Sequence, residues 1–242
     1  MDTGVLLAVI AMVVVLIGML VAKKALATSN LLQPVLFLCV ALELGCLIYV
    51  FHQRLGGGSG KSVIEIQKAV NRSKGVAAAE FLKAKAPGKK VLFVCMPGFK
   101  EDQMTMAMLE GFQKTYGGTV VCETIDGQIP EDVMASDYLT PDKLNPVFDK
   151  CADAGLIIFC SGILPQRYNR LKAYGKAPFF LIDTGSADYA AVTRDLKAGK
   201  ILGTIVAKRN TGLKHNSPVE KKDIDTFNKR FDIDSDGSKL NN

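Results

Sequence analysis

The chain has 242 residues, with 30 Lys and Arg against 24 Asp and Glu, a formal net charge of +6 and 48% hydrophobic residues. That length suits one domain of ordinary size with an additional segment. The basic residues are interspersed with Asp and Glu and form no tract interleaved with aromatics, so nucleic acid is not expected as a partner.

The average composition hides an asymmetry. Residues 4–22 contain no charged side chain, and residues 31–51 contain one, Glu43. At about 1.5 Å of rise per residue, each run matches a ~30 Å hydrocarbon core. Residues 1–54 therefore read as a transmembrane helical hairpin with spans of about 4–22 and 31–51. A cleaved signal peptide fits poorly, because Asp2 precedes the first run while Lys23 and Lys24 follow it. Those two lysines favour a cytoplasmic connection and an exoplasmic domain. Arg54, Lys61 and Lys68 after the second run nearly cancel the tally. The expected place is a bacterial inner membrane, with the large domain on its exoplasmic (periplasmic) side. A carboxylate at the depth of Glu43 is costly unless paired. Glu43 is thus expected at an interface with another membrane subunit or a second copy, in addition to the lipid bilayer.

Residues 55–88 comprise a Gly-rich linker, Leu55 to Gly60, and a juxtamembrane helix whose apolar positions Val63, Ile66, Val70, Ala77 and Phe81 follow helical spacing up to Pro87 and Gly88, with a break at Gly75. Residues 89–208 alternate between strand-like and helix-like segments. Strands are expected at 91–95, 119–125, 156–160, 179–182 and 201–207, and helices at 102–115, from Thr140 onward, at 166–174 and at 187–198. Thr140 followed by Pro141 is a helix-start signature. This alternation implies right-handed βαβ units and an α/β fold, a doubly wound, mostly parallel five-stranded sheet in the order 2-1-3-4-5. Residues 209–242 read as a polar C-terminal tail.

The segments Lys90-Val-Leu-Phe-Val-Cys-Met-Pro97, Met108-Leu-Glu-Gly-Phe112, Tyr116-Gly-Gly-Thr-Val-Val121, Asp153-Ala-Gly-Leu-Ile-Ile-Phe159 and Asp195-Leu-Lys-Ala-Gly-Lys-Ile-Leu-Gly-Thr-Ile205 resemble, over residues 89–208, a lobe of a type 1 periplasmic binding protein of the sugar-binding kind. The resemblance implies a flavodoxin-like lobe. Proteins of that family close two lobes over a ligand, whereas this sequence has residues for one, so sugar binding does not carry over directly.

Three chemical motifs are approached and missed. Gly-Gly-Gly-Ser-Gly-Lys-Ser62 ends like a phosphate-binding loop, but Leu55 stands where its first Gly belongs. Cys95 follows a strand as the nucleophile of a low-molecular-weight tyrosine phosphatase does, yet Glu101 takes the place of the phosphate-gripping Arg. Cys160 has Gln166 at that spacing. The six cysteines form no Cys-x-x-Cys pair and read as core thiols. Asp232, Asp234, Asp236 and Ser238 follow the first half of a Ca²⁺ loop, with Gly237 at the turn, but the bidentate Glu is missing. Weak Ca²⁺ binding at this tail is the one cofactor expectation.

No catalytic set emerges. The leading expectation is a membrane-anchored, non-enzymatic binding or scaffold subunit of a larger membrane assembly. The alternative is a tethered domain binding a sugar or phosphate-containing ligand, or an enzyme, with its site beyond the strand ends at Pro97, Gly98, Phe99, Asp126, Ser161, Gly162, Asp183 and Thr184.

Overall fold

A computed structural model describes residues 3–25, 32–55, 63–125, 127, 129, 130, 132, 133, 138–160, 164–183, 188–214 and 216–240. The chain divides into two compact units, Met1–Ser62 and Val63–Asn242.

The first unit contains helices α1 (Thr3–Ala25) and α2 (Leu32–Leu55), which pack against each other. Apolar side chains point outward along both, among them Ile10, Val14, Ile17 and Leu20 of α1 and Phe37, Leu38, Leu44 and Ile48 of α2. The expected hairpin is helical, but its reading as two membrane spans is not matched. Among the described residues, no helix is long and apolar enough to cross a membrane.

The second unit begins with α3 (Val63–Lys85), followed by β1 (Val91–Cys95), α4 (Gln103–Tyr116), β2 (Val120–Thr124), α5 (Pro141–Lys150), β3 (Leu156–Phe159), a 3₁₀ turn at Tyr168–Arg170, β4 (Phe179–Leu181), α6 (Tyr189–Lys197), β5 (Ile201–Ala207), α7 (Asp223–Arg230) and β6 (Phe231–Asp234). The sheet order is β2-β1-β3-β4-β5-β6. The first five strands pair in parallel, in the order expected from the sequence. The expected five-strand count is corrected to six. β6 adds antiparallel to β5, with Ile205 opposite Ile233 and Val206 opposite Asp232.

β1 lies between β2 and β3, and all five of its residues are buried. Strands covered on both faces carry continuous apolar runs, which is why Val91-Leu-Phe-Val-Cys95 shows no alternation. Phe93 meets Phe112 edge-on at 4.8 Å between ring centroids, and Phe112 stacks on Tyr116 at 5.2 Å. The Tyr116 hydroxyl donates to the Ala86 and Lys89 carbonyls at 3.0 and 2.9 Å, fixing the connection from α3 into β1.

α3 is continuous through Gly75 and belongs to the α/β unit, burying Ile66, Val70, Ala77, Ala78, Ala79 and Leu82. The glycine read as a break is a contact point. A methyl placed on Gly75 would overlap the Met108 carbonyl oxygen of α4, and one on Gly111 would lie 2.5 Å from the Arg72 carbonyl oxygen of α3. The two helices cross backbone to backbone at this pair. Arg72 then reaches Asp223 of α7 with two hydrogen bonds of 2.9 and 3.0 Å.

Two further expectations change. The helix read over 166–174 is reduced to the 3₁₀ turn at Tyr168–Arg170. Tyr168 turns inward, and its hydroxyl donates to the buried Asp195 carboxylate at 2.9 Å, joined by the Tyr174 hydroxyl at 2.8 Å and Arg194 Nε at 3.1 Å. The residues read as a polar tail fold into α7 and β6 and bury Phe227 and Leu240.

Two outcomes follow from this packing. Gly75→Ala is expected to lower unfolding stability by about 2 kcal/mol, overpacking outweighing the helix-propensity gain of about 1 kcal/mol; urea denaturation of the purified full-length chain reads it, and a stabilised variant would rule out the close crossing. Burial by itself raises the Asp195 carboxyl, but the hydrogen bonds from Tyr174, Arg194 and Tyr168 carry it below the usual carboxylate range. A depressed folded-state value contributes stability above the unfolded value of about 3.9 and loses it as pH falls through the lower folded value. Asp195→Asn should therefore cost about 2 kcal/mol at neutral pH, with the gap to wild type closing below about pH 4; a gap that stays constant down to acid pH would contradict this.

Candidate functional site

In an open parallel sheet, ligand crevices form outside the carboxyl ends of the strands, where neighbouring connections leave in opposite directions. Here that place lies between β1 and β3, since β1 pairs with β2 on one side and β3 on the other. A cavity of about 240 Å³ opens there, lined by Asn71, Met96, Pro97, Phe99, Asp102, Met104, Thr105, Met108 and Cys160.

The wall is built from the turn after β1. Phe99 N donates to Met96 O at 3.2 Å, Glu101 N to Gly98 O at 3.0 Å and Asp102 N to Phe99 O at 3.2 Å, with Gly98 at φ 77°. That left-handed conformation favours glycine. Asp102 then caps α4: its carboxylate accepts from Met104 N and Thr105 N at 3.1 Å each and from Thr105 Oγ1 at 2.5 Å. Burial opposes ionisation of Asp102, but the Thr105 hydroxyl and the two amides hold its carboxyl below the usual range. The helix N-terminus facing the crevice is thus already satisfied by a carboxylate, which disfavours an anion there. On the α3 side, Asn71 Nδ2 donates to Gln67 O at 3.0 Å, and its amide oxygen accepts from no other described residue.

Of the residues named from the sequence, Pro97 and Phe99 line this crevice, and Gly98 shapes its turn. Asp183 stands at the end of β4, where its charge acts on Lys74. Asp126, Ser161, Gly162 and Thr184 lie outside the described residues. Sequence reasoning missed Asn71, because α3 read as a linker helix, and Asp102 and Thr105, although Asp-x-x-Thr before an apolar run is a recognisable capping signal. Cys160, read as a core or strand-end thiol, is buried and contributes to the wall.

Cys95 Sγ lies 3.5 Å from Cys160 Sγ. A hydrogen bond with Cys122 acts to lower the Cys95 thiol, but the Cys160 contact and burial outweigh it and push it well above the ordinary thiol range. Such a group does not supply a thiolate nucleophile. In the Asp-rich loop, Asp234 is turned inward while Asp236 is exposed. Asp234 is buried and accepts from Asp236 N and Gly237 N at 3.2 and 2.8 Å, and from Lys239 N and Leu240 N at 2.9 and 3.1 Å. Asp232 lies 3.4 Å from both Lys208 and Lys239, and Asp236 accepts from Ser238 N at 2.9 Å. Among the described residues, no group of three or more His, Cys, Asp or Glu is placed to hold a metal ion.

Among the described residues, three other concavities are larger, one of them of about 480 Å³ beside Thr140 and Arg167. A groove of about 790 Å³ borders the edge strand β2 along the exposed side of α4, with Met106, Glu110 and Cys122 in its wall. A cavity of about 680 Å³ lies among α3, the end of β5 and the start of β6.

No protein-family model and no curated protein matches the chain. Among solved structures it is similar to the substrate-binding protein of a sugar ABC transport system from Bordetella parapertussis, at 14% identity and a TM-score of 0.41 over 56% of this chain and 41% of that one. It is also similar to a carbohydrate transporter from Acidothermus cellulolyticus in complex with myo-inositol, at 15% identity and a TM-score of 0.41 over 56% and 43%. An arabinose-binding protein from Geobacillus stearothermophilus matches at 20% identity and a TM-score of 0.39 over 56% and 45%. The matched region spans less than half the length of each of these proteins.

Proposed function

We propose that this chain is a membrane-anchored binding lobe that holds a small, uncharged polar molecule in the crevice between the carboxyl ends of β1 and β3. The observation that carries the reading is the position of that cavity at the point where the strand order reverses, with Asn71, Thr105 and the Met96–Phe99 turn around it. Its volume of about 240 Å³ lies just below the range of about 300–1,000 Å³ typical of small-molecule sites, which favours a compact ligand. The Asp102 carboxylate at the start of α4 favours a hydrogen-bonding ligand over an anion. Among the described residues, the Asp102 carboxylate at the site is engaged in capping α4, which supports binding over catalysis.

The anchor is read from the first unit. A 23-residue helix containing the charge-free run 4–22, with Ile10, Val14, Ile17 and Leu20 turned outward, is suited to apolar surroundings. Assembly with another membrane protein is favoured by one atom: Glu43 Oε1 is buried and has no hydrogen-bond partner among the described residues. A partner helix supplying a donor there would satisfy it.

Thermal-shift screening of the full-length chain in mild detergent against monosaccharides and polyols is expected to give a stabilising ligand, and Met104→Trp, which fills the crevice, should abolish the shift with little change in the unliganded melting temperature. A ligand response that survives Met104→Trp would place binding elsewhere. Membranes washed with carbonate should retain the chain, and after solubilisation Glu43→Leu should elute as a smaller species than wild type. Release by carbonate would remove the anchor, and unchanged elution would remove the Glu43 contact.

A further inference from the structure

We propose that the cavity among α3, the end of β5 and the start of β6 is a second binding site, for a phosphate-bearing ligand. Its volume is about 680 Å³, within the range of about 300–1,000 Å³ of small-molecule sites. Lys74, Lys208, Lys214 and Arg230 line it, and among the described residues no Asp or Glu does. These four cations converge from separate segments: α3, the residue after β5, the connection that follows, and the end of α7. A solvated basic face instead repeats lysines along one surface of one element.

The existing contacts orient these groups while leaving much of their charge uncompensated. Arg230 donates to the carbonyls of Lys214, Ser217 and Pro218 at 3.4, 2.7 and 3.4 Å. Carbonyl acceptors fix a guanidinium but do not neutralise it. Lys74 Nζ sits 4.8 Å from the centre of the Phe231 ring, a contact that attracts a cation and likewise leaves its charge in place. Lys208 is the partial exception, bonded to Asn228 O at 2.6 Å and 3.4 Å from Asp232. Among the described residues, no carboxylate forms an ion pair with Lys74, Lys214 or Arg230. Burial lowers the Lys74 ammonium below its usual range, with the Asp183 charge opposing that shift, and burial lowers Arg230 as well. An anion in the cavity would restore the favourable charge environment both groups lack.

The number of cations selects the ligand class. A monocarboxylate engages one or two of them, whereas a phosphate group carries up to two charges and several acceptor oxygens, and suits both a guanidinium fork and ammonium point charges. Asn71 is the one residue whose side of α3 lines both this cavity and the switch-point crevice. The crevice carries Asp102 and this cavity carries four cations, so the two sites call for ligands of different charge.

Pyrophosphate serves as the probe, titrated into the full-length chain in a neutral-headgroup detergent, with sodium chloride holding ionic strength constant. Wild type should be stabilised, and Lys74→Gln should weaken binding by about tenfold, as expected for one lost charge-assisted contact. Lys114→Gln removes a lysine paired with Glu110 on the exposed side of α4, and should bind as wild type does. Met104→Trp should also retain pyrophosphate binding, which separates failure here from failure of the crevice reading. A second arm replaces pyrophosphate with phosphatidylglycerol in the micelle. Protection there that is lost in Lys74→Gln identifies a lipid headgroup as the phosphate source, and protection by pyrophosphate alone identifies a soluble one. Absence of stabilisation in both arms, or equal weakening in Lys74→Gln and Lys114→Gln, would overturn the proposal.

Discussion

The α/β unit depends on how closely α3 approaches α4. Gly75 and Gly111 let the two backbones touch, and neither position has room for a Cβ. Side chains at an ordinary helix–helix contact keep axes about 8–10 Å apart; removing them brings α3 close enough for Ala77, Ala78, Ala79 and Leu82 to enter the core beside β1. Small residues around the crossing are then required, and the alanine run in this helix meets that requirement. The same approach places Asn71 and Lys74, upstream on α3, at the strand ends where both candidate sites lie. One steric constraint in the sequence therefore sets the position of the functional surface.

Local charge divides that surface. At the β1–β3 crevice, the α4 N-terminus is occupied by Asp102, so the backbone donors that often receive anions are already used. Further along the strand ends, Lys74 and Arg230 are held by a ring face and by carbonyls, neither of which supplies a compensating negative charge. Two pockets on one fold thus present different local charge with no change of backbone. The fold by itself does not decide which ligands these are.

Legibility in the sequence followed the physics of each element. The buried strands β1, β3 and β5 were readable because a parallel strand covered on both faces must be apolar throughout, and their order follows from right-handed crossovers. The 3₁₀ turn at Tyr168–Arg170 was misread as a helix because Tyr168 and Leu171 share a spacing common to both; what separates them is the pull of Asp195 on the Tyr168 hydroxyl, a contact made 27 residues away. β6 was missed because Asp232 and Asp234 read as solvated, whereas Asp234 is buried and accepts from four backbone amides. That inward use of the carboxylate also accounts for the resemblance to a Ca²⁺ loop, since an aspartate followed by small polar residues and Gly237 makes the same tight turn in both settings. At the candidate sites, Pro97 and Phe99 were legible from the rule about strand ends. Asn71 and Lys74 were not, because no local pattern shows that a helix preceding the first strand will fold across the ends of that strand.

The antiparallel strand β6 has a consequence for how the chain behaves among its own copies. A sheet that ended at β5 would present a seven-residue strand, Ile201–Ala207, with unpaired backbone groups and an apolar sequence, the kind of edge that templates association with another molecule. β6 covers that edge over Thr204 to Ala207 and puts a short strand bearing Asp232 and Asp234 in its place. Asp232, partly exposed between Lys208 and Lys239, sets charges where an incoming strand would have to lie. A segment that reads in sequence as a polar extension thus works as a guard against aggregation.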